Sequence, residues 1–374
     1  MPPLPATGQI SLGQIQNEFG SGSSGGTRIG QYRNAYSAGG VFDLPFDTGI
    51  PTGNVPIAFS QFRGKQLNTV QVINGDGLTF YRYAIDPNAQ IAVGGLRGLN
   101  SFVRSTAKNI VYVYNINIGS SQSGDRRVSA LRTNTTGVWY GGNNYILNGA
   151  SITLNIVSSS IVGAGGNGGQ GGTESTNGNN GANGTSALGL QVPVSAINLF
   201  GSNLIAGGGG GGGGGGSRED SSEIRRAGGG GGGGGAGIPA GAGGGIRRRS
   251  NQSEGGIGSN GSALFPFAGG RGGDGSNNAS EARGGSGGGG GAGISGGQGG
   301  DSNGGDGGGT GNSSSGGRGG NGQASGADNS GESDGGFGGL CGFSIVSDGG
   351  IGIPGVSNSG SNFVGGTGAG QGVL

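Results

Sequence analysis

Apolar side chains recur at helical spacing in two short places within the first 65 residues. In "GQISLGQIQNEFG", Leu12, Ile15 and Phe19 fall at i, i+3 and i+7, with Ser11 placed to cap the first turn and Gly20 to end the last. In "VPIAFSQFRGK", Phe59 and Phe62 repeat the three-residue step and Gly64 closes it. Helices this short do not stand alone in water, so each must pack on something. Two readings are open: small amphipathic core helices, or an attachment surface for a neighbouring subunit formed by Leu12, Ile15, Phe19, Phe59 and Phe62.

From 66 to 160 the period changes to two. "NIVYVYNINIG" puts Val111, Val113 and Asn115 on one face and Ile110, Tyr112, Tyr114, Ile116 and Ile118 on the other, and "LTFYRYAI", "VWYGGNNYIL" and "ASITLNIVSSSIV" behave likewise. Asn, Gly and Pro turns separate them, which predicts a compact antiparallel β domain. Trp139, Tyr140 and Tyr145 fill its core on one reading and form a sugar-stacking surface on the other.

Beyond 160 the period becomes three. "GGNGGQGGT" places Asn167, Gln170 and Thr173 one per triplet, "GGRGGDGSN" does so with Arg271, Asp274 and Asn277, and "GGFGGLCGF" with Phe337, Leu340 and Phe343. Three residues per turn is the repeat of the extended left-handed helix that has no internal hydrogen bonds, so its backbone groups must pair laterally. With two glycines per turn, two faces abut neighbours and one column of side chains meets solvent. An all-glycine run such as 207–216 is then surrounded on every side, a rod about 31 Å long. Ordering one such rod costs more than its hydrogen bonds return, so many must stack.

Composition sharpens the division. Of 107 glycines in 374 residues, 23 lie in 1–160 and 84 beyond, and hydrophobic residues make up only 30%. The expected organisation is therefore 1–65, 66–160 and 161–374. Its fold class is mostly irregular and β, with small N-terminal α motifs, an antiparallel β domain and a C-terminal bundle of extended glycine helices. Between the glycine runs lie polar segments, among them "TESTNGNNGANGTSA", "SREDSSEIRRA", "IRRRSNQSEGGIGSNGSALFPF" and "SNNASEAR", whereas "IPAG" at 238–241 is brief. Antiparallel rods would gather the long connections at one end, where a rigid scaffold presents them for recognition.

Charge and chemistry narrow the function. Twenty basic against nineteen acidic residues give no reason to expect nucleic acid or a membrane surface as the bulk target. No histidine is present, one cysteine forbids an intrachain disulfide, and no apolar stretch suggests a signal peptide or membrane insertion. G-x-G-x-x-G recurs as a by-product of composition, and Asp274, Asp301 and Asp306 lack the nine-residue spacing of calcium repeats. Adjacent Glu219 and Asp220 read as a solvated turn, so no catalytic residue, metal site or cofactor is expected. The arginines stand higher. Arg218, Arg225, Arg226, Arg247, Arg248, Arg249 and Arg283, beside Glu219, offer forks for carboxylate or phosphate, and Leu264, Phe265 and Phe267 of "ALFPF" add an apolar anchor. Local pairing with Glu219, Asp220 and Glu223 for solubility is the alternative reading.

The glycine motifs at 163–172, 207–216, 228–237, 269–275, 284–301, 316–322 and 335–342, alternating with polar segments, resemble those of the receptor-binding adhesins at the tips of T-even-type phage tail fibres. "ATGQISLGQIQNEFG" and "IPTGNVPIAFSQFRGK" are similar to short motifs near the N-termini of phage tail structural proteins. The resemblance implies a polyglycine II sandwich in 161–374 that presents loops to a host outer-membrane protein or lipopolysaccharide. It implies an N-terminal region, 1–65, that docks on another fibre or baseplate protein, and a place at the tip of the virion's tail fibre after synthesis in the host cytoplasm. A purely structural or ice-binding-like glycine protein is the alternative.

Overall fold

The computed structural model describes residues 3–19, 28–32, 36–37, 43–44, 47, 49–51, 55–66, 69–74, 77–81, 91–92, 109–134, 137–140, 143–146, 152–191, 193–220, 224–247, 254–264, 268–278, 282–283, 285–291, 323–324, 331–347, 351–364 and 367–369. The short helix forms where its spacing predicts, at Leu12–Phe19. Gln14 N–H donates to Ser11 Oγ at 3.2 Å and Ser11 N–H to Gln14 Oε1 at 2.7 Å, a reciprocal cap. The second segment is a tighter 3₁₀ turn, Phe59–Phe62, which keeps only the glutamine half of that device: Ala58 N–H donates to Gln61 Oε1 at 2.6 Å, while Gln61 N–H donates to the Ala58 backbone carbonyl.

Between them these turns build a small core. Ile15, Phe19, Tyr32 and Phe62 are fully buried, and Phe62 meets the rings of Phe19 and Tyr32 edge-on at 5.8 and 6.4 Å. Leu12 is half-buried and Phe59 is 41% exposed, so these two carry the surface available to a partner. Burial pushes the Tyr32 hydroxyl above its ordinary 10.0. The folded state thus holds that proton more tightly, so stability from Tyr32 is full below about pH 10 and is lost as pH rises through the raised value. Tyr32→Phe keeps the ring contact and should flatten alkaline unfolding of this unit, read by fluorescence between pH 9 and 12.

The β region is wound in coils. Asn109–Tyr114 runs in a seven-stranded sheet, the chain turns at Asn115, Asn117–Gly119 enters a four-stranded sheet, and Ser129–Asn134 enters a six-stranded one. Ile152–Val157, Ser160–Val162 and Ser186–Leu190 repeat that course. So do Val194–Phe200, Asn203–Ile205 and Ile345–Ser347, and then Val356–Ser359, Asn362–Val364 and Thr367–Ala369. Successive coils stack in parallel register, Tyr114 on Val157, Val157 on Phe200 and Phe200 on Ser359.

The sheets are therefore mostly parallel, which corrects the expected antiparallel domain. Among the described residues of this region, antiparallel pairing is confined to the hairpins linking Thr69–Asn74 to Gly77–Tyr81 and Ser129–Asn134 to Gly137–Tyr140, and to the strands they lead into. Alternation along a strand reports which faces are covered and is silent on which strand lies alongside. One apolar cluster fills the interior and draws on all three sheets: Val111, Leu154 and Ile197 from the first, Ile161 and Leu204 from the second, Leu131, Leu188 and Ile345 from the third.

One corner of each coil is made the same way. Asn115, Ser158, Gly201 and Gly360 all adopt positive φ, at 50°, 46°, 55° and 61°. Directly after it a serine ladder runs across the coils. Ile116 N–H donates to Ser159 Oγ at 3.3 Å, Ser159 N–H to Ser202 Oγ at 3.1 Å and Ser202 N–H to Ser361 Oγ at 2.8 Å. Ser202→Ala leaves the buried Ser159 amide without its acceptor and should cost about 1–3 kcal/mol by chemical denaturation.

The glycine-rich chain is inserted at one place in the coil, between the second and third sheets: residues 163–185 in one coil and 206–344 in the next. There, extended segments lie side by side and exchange backbone hydrogen bonds with a three-residue alternation of partners. In 228–237, Gly229, Gly232 and Gly235 donate to Gly172, Gly169 and Gly166; Gly230, Gly233 and Ala236 to Gly285, Gly288 and Gly291; Gly231, Gly234 and Gly237 to Gly256, Ser259 and Ser262. Its carbonyls accept from Gly208, Gly211 and Gly214, from Gly241 and Gly244, and from Gly270 and Gly273. This segment is thus enclosed by six others, and a β-carbon at most of its glycines would overlap a neighbour's carbonyl oxygen. "TNGNNGANGTSA", grouped on sequence with the polar connections, contributes one of the extended segments, 176–185.

Candidate functional site

Chain direction decides which connections share an end. Segment 207–216 leaves the strand Asn203–Ile205, and 228–237 returns antiparallel beside it, Gly208 pairing with Ala236 and Gly214 with Gly230. Their connection is the antiparallel hairpin Ser217–Asp220 with Ile224–Ala227, joined by Gly331–Glu332. The Thr173–Thr176 turn lies at this level, since Gly172 N–H donates to Gly214 O and Gly229 N–H to Gly172 O. A second small sheet, Asn277–Asn278, Ala282–Arg283 and Gln323–Ala324, follows Ser276, whose N–H donates to Gly228 O. The two small sheets lie against each other and form the end remote from the coils.

This end holds Arg218, Glu219, Arg225, Arg226 and Arg283. Arg218 stands across from Arg226, and Glu219 across from Arg225, in the hairpin register. Like charges facing across a ladder are unfavourable unless an anion separates or neutralises them. Part of that role falls to Glu174, a residue that sequence reasoning missed: it is buried in the Thr173–Thr176 turn with Oε1 3.7 Å from Arg226 Nε. Its signal was available in "TEST", the point where the triplet phase of "GGNGGQGGT" stops and the chain must reverse.

Arg247 also reaches this end, beside Gly245, which accepts from Gly171. It lies back along the flank, with Nη2 donating to Asn179 Oδ1 at 3.0 Å. Arg248, Arg249, Phe265 and Phe267 lie outside the described residues. Leu264 does not join the arginines. It follows Ser262, which accepts from Gly237, and so sits at the coil end of the bundle, where it is 78% exposed.

Other candidate sites are thinner. A shallow groove of about 240 Å³ follows the coil corner between Asn115, Asn117, Ser158, Ser160 and Asn203, which are polar side chains that neither titrate near neutrality nor act as strong metal ligands. Among the described residues no three His, Cys, Asp or Glu side chains gather as a metal site. Arg127 grips the Asp125 carboxylate at 2.8 Å and holds it below the usual carboxylate range, a local pair beside the first coil.

What this scaffold is becomes clear from comparison with protein families. The family model described as phage tail fibre adhesin Gp38 matches residues 99–286, half of the chain. The chain belongs to that family. No curated protein and no solved structure gives a significant match. In this tail fibre adhesin the matched region takes in the coil strands from Asn109 to Ile205 and runs past the hairpin 217–227 to Arg283, while residues 1–65 precede it. Family membership makes the adhesin a virion protein, with partners in the tail and on the host. No helix among its described residues is long and apolar enough to cross a membrane.

Proposed function

We propose that the adhesin binds a bacterial surface receptor, an outer-membrane protein or lipopolysaccharide, through the end of the glycine bundle remote from the coils. The observation that carries this reading is the gathering of two charged small sheets at that one end by antiparallel extended segments. A binding face needs side chains held in fixed relative positions, and backbone pairing on six sides of 228–237 supplies a stiff base. We read the extended segments as polyglycine II helices of a sandwich of the T-even type; the three-residue alternation of hydrogen-bond partners supports this.

On this reading the chain has three working parts. Residues 1–65 attach it to another fibre or baseplate protein, with half-buried Leu12 and exposed Phe59 as contact points. The stacked coils, whose strands come from 109–134, 152–162, 186–205 and 345–369, space it from the fibre tip, and the inserted glycine segments, 163–185 and 206–344, display the receptor loops. Its action is rigid display without bond chemistry, needing no cofactor and no nucleic acid. Exchanging residues 217–227 and 277–284 for those of a related adhesin tests the proposal: host range should move with the loops. Unchanged adsorption would favour a purely structural virion role.

A further inference from the structure

Interior and edge segments satisfy their amides differently. In 228–237 each amide from Gly229 to Gly237 donates to a backbone carbonyl of an adjoining segment. In 333–344, Gly336, Gly339 and Gly342 do the same toward Gly213, Gly210 and Gly207. Their neighbours in the triplet do not. Asp334, Phe337 and Leu340 donate to the side-chain oxygens of Asn177, Asn180 and Asn183 at 3.0, 2.8 and 2.8 Å, and Phe343 donates to Ser186 Oγ at 2.9 Å.

Other flanks repeat the arrangement. Ala242 N–H meets Asn167 Oδ1 and Gly243 N–H meets Asn260 Oδ1, both at 2.9 Å, while Arg271 N–H meets Ser259 Oγ at 2.7 Å. The serine ladder of the coils ends in the same fashion. Each serine up to Ser202 donates its amide to the next coil, but Ser361, on the last, donates to Asn358 Oδ1 of its own coil at 3.1 Å.

A row of unpaired amides along an extended chain is a template for another chain, and nothing in such pairing distinguishes a segment of the same molecule from one of a second copy. We propose that the asparagine columns are end-stops that close the flanks of the bundle to a second copy of this chain. The carboxamide of Asn presents a peptide-like carbonyl one side-chain length from the backbone, so it stands where the next segment's carbonyl would stand. Period three places one on every turn of 176–185, in step with the amides of 333–344. Phe337 and Leu340, 62% and 49% exposed along that row, would otherwise add apolar area to the free amides and strengthen the mis-association. Lateral growth is blocked, and the loop end is left as the binding face.

The full chain carrying N177G/N180G/N183G tests this by sedimentation velocity over a hundredfold concentration range. The parent protein should remain a single species, and the variant should shift to dimers and larger species as concentration rises. N177S/N180S/N183S keeps an acceptor of the kind Ser186 supplies and should remain single. A folded glycine variant that stays single throughout overturns the proposal, as does a serine variant that associates equally. Should the triple glycine variant not fold, N180G is read by amide exchange: the Phe337 amide should exchange at least tenfold faster, and unchanged protection overturns the proposal. Adsorption to bacteria is not the readout, so this outcome is independent of the receptor proposal.

Discussion

Gly232→Ala should destabilise the glycine bundle by about 3 kcal/mol or more, far beyond what one methyl group usually costs. Gly232 lies in the enclosed segment: its N–H donates to Gly169 O, its carbonyl accepts from Gly244, and an added β-carbon would overlap the carbonyl oxygen of Gly211. No flexible side chain is available to move aside, because the neighbours on that side are backbone. Relief requires separating whole segments, which breaks the hydrogen bonds of several residues together. Gly245→Ala is the matched control, since nothing stands within 4 Å of a β-carbon there, and it should stay within about 0.5 kcal/mol of the parent. Thermal unfolding of the two variants decides the matter. Equal melting temperatures would mean that the segments are not in close lateral contact.

The second large effect concerns binding. Arg218→Ala with Arg225→Ala should lower adsorption to host cells at least tenfold while leaving the melting temperature in place. Both arginines sit on the hairpin at the remote end, one facing Arg226 and the other facing Glu219 across the ladder. Arg226 is kept because its contact with buried Glu174 ties the hairpin to the neighbouring turn. A tenfold loss corresponds to about 1.4 kcal/mol, within what a charge-assisted contact to a receptor anion contributes. Leu264→Ala, at the coil end, should adsorb as the parent does. Normal adsorption by the arginine variant combined with a defect in the leucine variant would place the receptor face at the opposite end.

Particular elements show what could be read without coordinates. The cap at Ser11 was legible because it depends on residues three positions apart, and the same holds for the turn at Phe59–Phe62, although its 3₁₀ geometry was not. The phase of Phe337, Leu340 and Phe343 was legible as one column, because a period of three is a property of a single segment. Their partners were not, since Asn177, Asn180 and Asn183 lie 157 positions away. Of the candidate binding residues, Arg218 and Arg283, chosen for their charge, lie at the end remote from the coils, while Leu264, grouped with them by composition, stands at the other end. A repeat was also there to be found. Asn115, Ser158 and Gly201 are evenly spaced, with Ser159 and Ser202 following at a separation of 43, yet the long glycine insertion interrupts the pattern before Gly360.

By itself the sequence determined the local periods: a helical step near the N-terminus, alternation in the strands, triplets in the glycine runs, and the wide change in composition near residue 160. These follow from interactions within a few residues along one chain, where side-chain spacing directly sets which face is apolar. Only the tertiary structure decided that the strands stack in parallel coils, that the glycine chain leaves and re-enters between the second and third sheets, and that the charged hairpins meet at one end. Those outcomes rest on backbone hydrogen bonds between segments tens to hundreds of residues apart. An amide and a carbonyl are the same at every position, so glycine marks a segment as enclosed without marking which distant segment it pairs with.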